Sequence, residues 1–187
     1  MRILAVSGSL RRDSHNTRLL RAAAQQLPPG VELELYEGLK SIPPFDEDDE
    51  ATPSSEVQAW RAAIEAADAV LFATPEYNSS IPGQLKNAVD WASRPKVEAA
   101  LWNKPVAVIG ASTSMYGALW AQAELRKVLS ASGARVLDAE LAVATAHEAF
   151  TDEHELSDPE LGDGLRGVVA ELVELARRHA KPLALAA

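Results

Sequence analysis

Three uninterrupted apolar runs, Ile3–Val6, Ala69–Ala73 and Val106–Ile109, limit what this chain can become. A strand with one wet face alternates apolar and polar residues, whereas a strand covered on both faces is apolar throughout. Each run gives way to a polar loop and then to apolar residues at helical spacing. After the first come Leu19, Leu20, Ala23, Ala24 and Leu27, after the second Leu85, Ala88, Val89 and Ala92, and after the third the segment from Ala118 to Ala131, which ends near Ser132-Gly133. Buried strands that alternate with helices imply parallel neighbours, because parallel strands need long crossover connections.

The rest of the chain extends the pattern. Pro28-Pro29-Gly30 stops the first helix, and Val31, Leu33 and Leu35 then alternate with Glu32 and Glu34 as in a strand exposed on one side. Ser54 or Ser55 is placed to cap a helix running through Ala66, and Pro82 suits a first helical turn. Arg135 to Val143 reads as a fifth strand, and Leu161 to His179, behind Pro159, as a last helix. The prediction is an α/β protein with a doubly wound, five-stranded parallel sheet and helices on both faces. A length of 187 residues, with no linker or internal repeat, fits one domain over residues 1–187.

Composition removes several chemistries. With 27 acidic against 18 basic side chains the formal charge is -9, which repels a phosphate backbone, so nucleic acid is not an expected partner. The absence of cysteine excludes disulfides, thiolate catalysis and cysteine-ligated metals, and fits a reducing compartment. The four histidines lack metal-ligand spacing, and Asp46 to Glu50 lacks that of a calcium loop, so no metal is expected and the acidic run reads as a solvated loop near a site entrance. The start of the chain is not a signal peptide and no segment is long enough to span a bilayer, so membrane partners are not expected and cytoplasmic residence is.

In an open parallel sheet, ligands collect beyond the carboxyl ends of the strands where the strand order reverses. The loop after the first strand, Gly8-Ser9-Leu10-Arg11-Arg12-Asp13-Ser14-His15-Asn16-Thr17, is rich in hydroxyls, amides and guanidinium groups and enters a helix, a combination suited to a phosphate. It is neither a Walker loop nor a Gly-x-Gly-x-x-Gly fingerprint, which removes support for ATP and for a Rossmann-bound NAD. Ser14 or Asn16 could equally serve as a simple helix cap.

After the third strand comes Pro75-Glu76-Tyr77-Asn78-Ser79-Ser80-Ile81-Pro82-Gly83, followed by Leu85-Lys86-Asn87 and Asp90-Trp91. Together with Gly8-Ser9-Leu10-Arg11, this segment resembles the NAD(P)H-dependent FMN reductases, a flavodoxin-like family of flavin, quinone, azo-dye and chromate reductases. The similarity runs from about Met1 to beyond Leu129. It implies that Ser9, Arg11, Ser14, Asn16 and Thr17 surround the phosphate of FMN. Pro75, Glu76, Tyr77, Asn78 and Ser79 then form the ring loop, with Tyr77 as its aromatic neighbour, and Ser112 and Gly117 of the loop after the fourth strand are weaker candidates. Lys86 and Asp90 read as an ordinary i,i+4 ion pair.

The resemblance further implies hydride transfer from NADPH or NADH to N5 of FMN, then reduction of a small-molecule acceptor in a ping-pong cycle. No protein side chain is expected to act as catalytic acid or base, since the cofactor carries the chemistry. It implies a homodimer or homotetramer, paired through the helices that carry Trp91 and Trp120. This chain departs from the family where Ser114 stands in place of a second glycine and Trp120 in place of an arginine. Those changes bear on nicotinamide access or subunit contact more than on FMN binding. Two other readings share the same residues: FMN as a dissociable substrate, and a flavodoxin-type electron carrier with no NAD(P)H site of its own.

Overall fold

The computed structural model describes residues 1–96 and 98–180. Its elements alternate as expected: β1 (Arg2–Ser7), α1 (His15–Gln25), β2 (Glu32–Leu35), α2 (Ser55–Glu65), β3 (Ala69–Thr74), α3 (Gly83–Ala92), β4 (Pro105–Ala111), α4 (Leu119–Ala131), β5 (Arg135–Val136), β6 (Ala142–Val143) and α5 (Pro159–Ala180). The strands pair in the parallel order β2-β1-β3-β4-β5, and β6 also pairs with β4. That is the flavodoxin-like order of a doubly wound sheet.

The continuous apolar runs are the central strands, and their side chains divide by parity. Leu4, Val6, Val70, Phe72, Val106 and Val108 face one core layer with α2, α3 and α4, while Ile3, Ala5, Leu71, Ala73, Ala107 and Ile109 face the other with α1 and α5. Period-2 geometry sends neighbouring residues to opposite faces, so a strand sandwiched between helices has no position left for a polar side chain. β2 lies at the sheet edge, and its two glutamates are exposed while Leu33 and Leu35 pack inward.

Two expectations require correction. The fifth strand is two short strands. Val136 pairs with Val106 and Ala142 with Gly110, so the outer chain carries two more residues than β4 between these points. The surplus bulges outward with Asp138 and Glu140 exposed, and the Glu140 carboxylate meets Arg126 of α4 at 3.0 Å. On α3, Trp91 belongs to the core. It is 1% exposed, sits edge-on to Phe45 at 4.9 Å, and donates from Nε1 to the Pro43 carbonyl at 2.9 Å. Trp120, by contrast, is exposed. The acidic run also lies elsewhere than expected: Glu50 approaches Arg94, just past the C-terminal end of α3, whereas the Pro75–Ser79 loop precedes that helix.

Ser54, not Ser55, caps α2, accepting from the Val57 N–H. Lys86 and Asp90 form the predicted ion pair at 2.7 Å. No helix of the described residues is long and apolar enough to cross a membrane.

Candidate functional site

The sheet register brings three loops to one edge. Ser7 at the end of β1 lies beside Ala73, and Thr74 at the end of β3 lies beside Gly110, so the loops after β1, β3 and β4 leave the sheet at one level around its reversal point. The Gly8 N–H donates to the Ala73 carbonyl at 2.8 Å, and a Cβ on Gly8 would stand 2.8 Å from Leu85 Cδ2, so a side chain here would have to displace Leu85 where the first loop passes α3.

The first loop ends in a helix start left open to an anion. Ser14 caps α1 by accepting from the Thr17 N–H at 3.2 Å, and no acidic residue occupies the first turn. The His15 and Asn16 N–H groups precede the first intrahelical bond, made by the Arg18 N–H, and point along the positive end of the helix dipole. Arg11 folds back over the loop, donating from Nη2 to the Asp13 carbonyl at 2.8 Å with its remaining donors uncommitted. Thr17 donates to Ser7 Oγ at 3.1 Å, which holds the loop to β1.

Asn16 does something that its sequence neighbourhood does not reveal. Its Nδ2 donates to the Ala111 carbonyl at 2.9 Å and its Oδ1 accepts from the Ala111 N–H at 3.0 Å. The side chain is 2% exposed, so one buried carboxamide clamps the first loop to the end of β4.

The second loop is a tight turn. Tyr77 and Ser80 exchange backbone hydrogen bonds of 3.0 and 3.1 Å, while Asn78 and Ser79 between them take positive φ of 53° and 60°. Positive φ at both central residues defines a type I′ turn, which favours asparagine at the first of them. The turn presents Tyr77 half-exposed at its base, and Ser80 Oγ ties it to Glu124 of α4 at 2.6 Å. Glu76 faces the same helix: its carboxylate accepts from the N–H groups of Trp120 and Ala121, each at 3.1 Å. It therefore caps α4, whose own N-cap, Ala118, has no side chain able to do so. Glu76→Ala should lower stability by about 1 kcal/mol, and Glu76→Gln, which keeps an acceptor, by less. Urea unfolding of the two variants measures the difference.

The third loop is held by its own hydroxyls, with Ser112 and Ser114 in contact at 3.2 Å. Gly117 has φ +56°, and a Cβ there would lie 2.5 Å from the Ala142 carbonyl carbon, so its place is to let the chain pass β6. The serine at position 114 fits without strain and bonds the Tyr116 N–H. Trp120 packs on Tyr116 with ring centroids 4.7 Å apart, forming an exposed aromatic pair.

A cleft of about 160 Å³ lies among the three loops. Of the residues expected at the site, Ser9, Arg11, Ser14, Asn16, Pro75, Glu76, Tyr77 and Ser112 line it, and Thr17 lines adjoining clefts of about 220 and 290 Å³. Asn78, Ser79 and Gly117 lie outside the lining and shape the loops instead. His15, Ala111 and Thr113 line the cleft without having been singled out. A larger cleft of about 540 Å³ lies between the C-terminal halves of α3 and α4, at the other end of these helices, and includes none of the three loops.

The His15 imidazole is held below its ordinary pKa of 6.5 by burial first, then by the positive charges of Arg11, Arg18 and His147. The unfolded chain therefore binds this proton at higher pH than the folded one, and stability rises with pH across the window that ends near 6.5. His15→Gln should flatten that rise in urea midpoints recorded from pH 5 to 7.

Comparison with known proteins agrees with this architecture. The model of the family described as NADPH-dependent FMN reductase matches residues 1–148. An NAD(P)H-dependent FMN reductase of Pseudomonas aeruginosa is 42% identical over 161 residues, covering 84% of this chain and 85% of its own. A 2-hydroxy-1,4-benzoquinone reductase of a Burkholderia species is 40% identical over 128 residues, covering 68% of this chain and 69% of its own. The solved structure of FerB, a flavoenzyme NAD(P)H:(acceptor) oxidoreductase of Paracoccus denitrificans, superposes with a TM-score of 0.84 at 33% identity, covering 95% of this chain and 98% of that one. With the three loops meeting at the reversal point and these relatives spanning most of the chain, the protein belongs to the NADPH-dependent FMN reductase family, whose members are oxidoreductases that use FMN and NAD(P)H.

Proposed function

We propose that the three-loop cleft holds FMN and that the enzyme passes reducing equivalents from NAD(P)H to a quinone, azo, metal-oxyanion or flavin acceptor in a ping-pong cycle. The observation that carries the reading is the meeting, in one cleft, of an anion-type loop whose first helical N–H groups stay open with the turn that carries Tyr77. The donor set suits the cofactor. Ser9, Arg11, Ser14 and the open N–H groups of His15 and Asn16 offer neutral and charged donors to a phosphate, with Thr17 in the adjoining clefts and no carboxylate in the first turn of α1 to oppose it. Pro75, Tyr77 and Ser112 supply the walls and polar edge that a flat heterocycle needs.

Bound FMN would supply the two-electron chemistry. The protein's own part is to fix the walls: the Asn16–Ala111 clamp sets the distance between the first and third loops, and Glu76 sets that between the second loop and α4. A quinone acceptor is favoured by the relatives whose names specify one, and an exposed Tyr116–Trp120 pair close to Glu76 suits a flat, uncharged molecule. We place the protein in the cytoplasm as a homodimer or homotetramer of one FMN-binding domain over residues 1–187.

Anaerobic stopped-flow spectroscopy tests this reading. NADH or NADPH should bleach the flavin absorbance, and a quinone added afterwards should restore it without any complex of the two substrates. A flavin that neither nicotinamide bleaches would mark an electron carrier instead. A protein that loses its yellow colour on gel filtration would place FMN among the substrates.

A further inference from the structure

In a chain with nine more acidic than basic side chains, Arg11, Arg12, Arg18 and Arg21 cluster around one cleft. Among the described residues, none of the four takes part in a salt bridge. Together with His15 and His154 they line a cleft of about 290 Å³ beside the first turns of α1, where Asp13 is the one acidic residue in the lining. The Arg12 and Arg21 side chains are exposed and make no hydrogen bond within the described residues. Arg18 is fixed differently: its guanidinium lies 4.9 Å from the centre of the Phe150 ring and donates to the Thr151 carbonyl at 3.0 Å.

The cleft also concentrates unmet hydrogen-bonding capacity. Among the described residues five buried side-chain polar atoms have no partner, and three of them, His15 Nδ1, Arg18 Nε and His154 Nδ1, belong to residues of this lining. Buried polar atoms without partners are uncommon; these three are closed off from solvent, so a ligand in the cleft would meet the exposed guanidinium groups of Arg12 and Arg21. The positive field is felt locally, since Arg11 and Arg18 both help to depress the His15 pKa. Several guanidinium groups without counter-ions suit a dianionic phosphate monoester, which they can meet through paired N–H donors.

This cleft and the three-loop cleft share Arg11, Ser14 and His15, so the two are contiguous. We propose that the arginine cleft receives the 2′-phosphate of NADPH and gives the enzyme a preference for NADPH over NADH, an inference that rests on the NAD(P)H reading of the neighbouring cleft. The 2′-phosphate is the only chemical difference between the two nucleotides, and arginine is a usual partner for it. The local patch also offsets, for a polyanionic nucleotide, the repulsion of the protein's overall negative charge.

The test compares the FMN-loaded enzyme with its R12A/R21A double variant, which alters two exposed side chains that hold nothing in the fold. Calorimetric titration with NADP⁺ and NAD⁺ should show NADP⁺ bound at least about tenfold more tightly by the wild type, and the double variant should lose most of that margin. The KM for NADPH should rise in parallel, while the KM for NADH and the affinity for FMN stay within about twofold. Equal binding of the two nucleotides by the wild type, or a double variant that weakens both alike or neither, overturns the inference. If both nucleotides bleach the flavin equally well, only this preference falls; if neither does, the NAD(P)H reading beneath it falls too.

Discussion

Asn16→Ala, in the first turn of α1, should lower the thermal midpoint of the protein by roughly 5 to 15 °C. The carboxamide satisfies both polar groups of the Ala111 peptide, and it is itself buried. Alanine cannot replace either bond, and the space it leaves is lined by the backbone of β4's last residue. Leaving a buried donor or acceptor unmet costs about 1 to 3 kcal/mol, so two together amount to about 2 to 4 kcal/mol once partial solvation is allowed for. Each kilocalorie shifts the midpoint of a domain of this size by about 2 to 4 °C. Asn16→Asp sharpens the test. It keeps the acceptor for the Ala111 N–H but turns a carboxylate oxygen toward the Ala111 carbonyl, so at neutral pH it should be at least as damaging as alanine. Differential scanning calorimetry of the FMN-free proteins separates this clamp from any part the position plays in binding. A midpoint unchanged by alanine would show that the first and third loops are held together by other contacts.

The same residue shows where reading the chain reaches its limit. Asn16 sits in a loop whose composition suits a phosphate, and from the sequence its side chain could be assigned to an anion or to a helix cap. Its actual partner is 95 residues away, a contact that depends on β4 ending level with the start of α1. Sequence spacing carries information about neighbours within a turn of helix or a strand pair, and none about a partner so remote. Ser14 illustrates the legible case, because a cap acts over three residues.

Glu76 was hidden for a related reason. A search for the cap of α4 looks among the residues just before Leu119, where Ala118 offers nothing, and the acceptor arrives instead from the loop after β3. The central strands were legible because burial on both faces leaves a continuous apolar run, as in Ala69–Ala73 and Val106–Ile109. The region from Arg135 to Val143 was not, since two-residue strands at the margin of a sheet need only part of that signature, and the charged bulge between them reads like the wet face of a longer strand. For Trp91 the sequence leaves two places open, because large aromatics serve interiors and interfaces alike, and only its packing against Phe45 and the Pro43 carbonyl decides between them.

Arg11→Ala should weaken FMN binding by about 10- to 100-fold while leaving the fold almost untouched. A hydrogen bond that involves a charged group contributes about 1.5 to 3 kcal/mol where solvent access is limited, and the exposure of Arg11 places the effect toward the lower part of that range. Within the fold its side chain makes one bond, to the Asp13 carbonyl, which loop water can replace, so the midpoint of the FMN-free protein should move by no more than about 1 °C. Arg11→Lys should recover part of the affinity, because it keeps the charge and loses the planar fork. Riboflavin provides the decisive comparison, having the same ring system without the phosphate. If Arg11 acts on the phosphate, the alanine variant should bind riboflavin as the wild type does, and the wild type's preference for FMN over riboflavin should shrink by the full factor lost. A variant that loses riboflavin and FMN affinity equally would move Arg11 from the phosphate to the shaping of the ring cleft, which it also lines. Fluorescence titration of both flavins at two salt concentrations reads this directly, since a contact made through charge to a dianion weakens with ionic strength and a contact with the neutral ring does not.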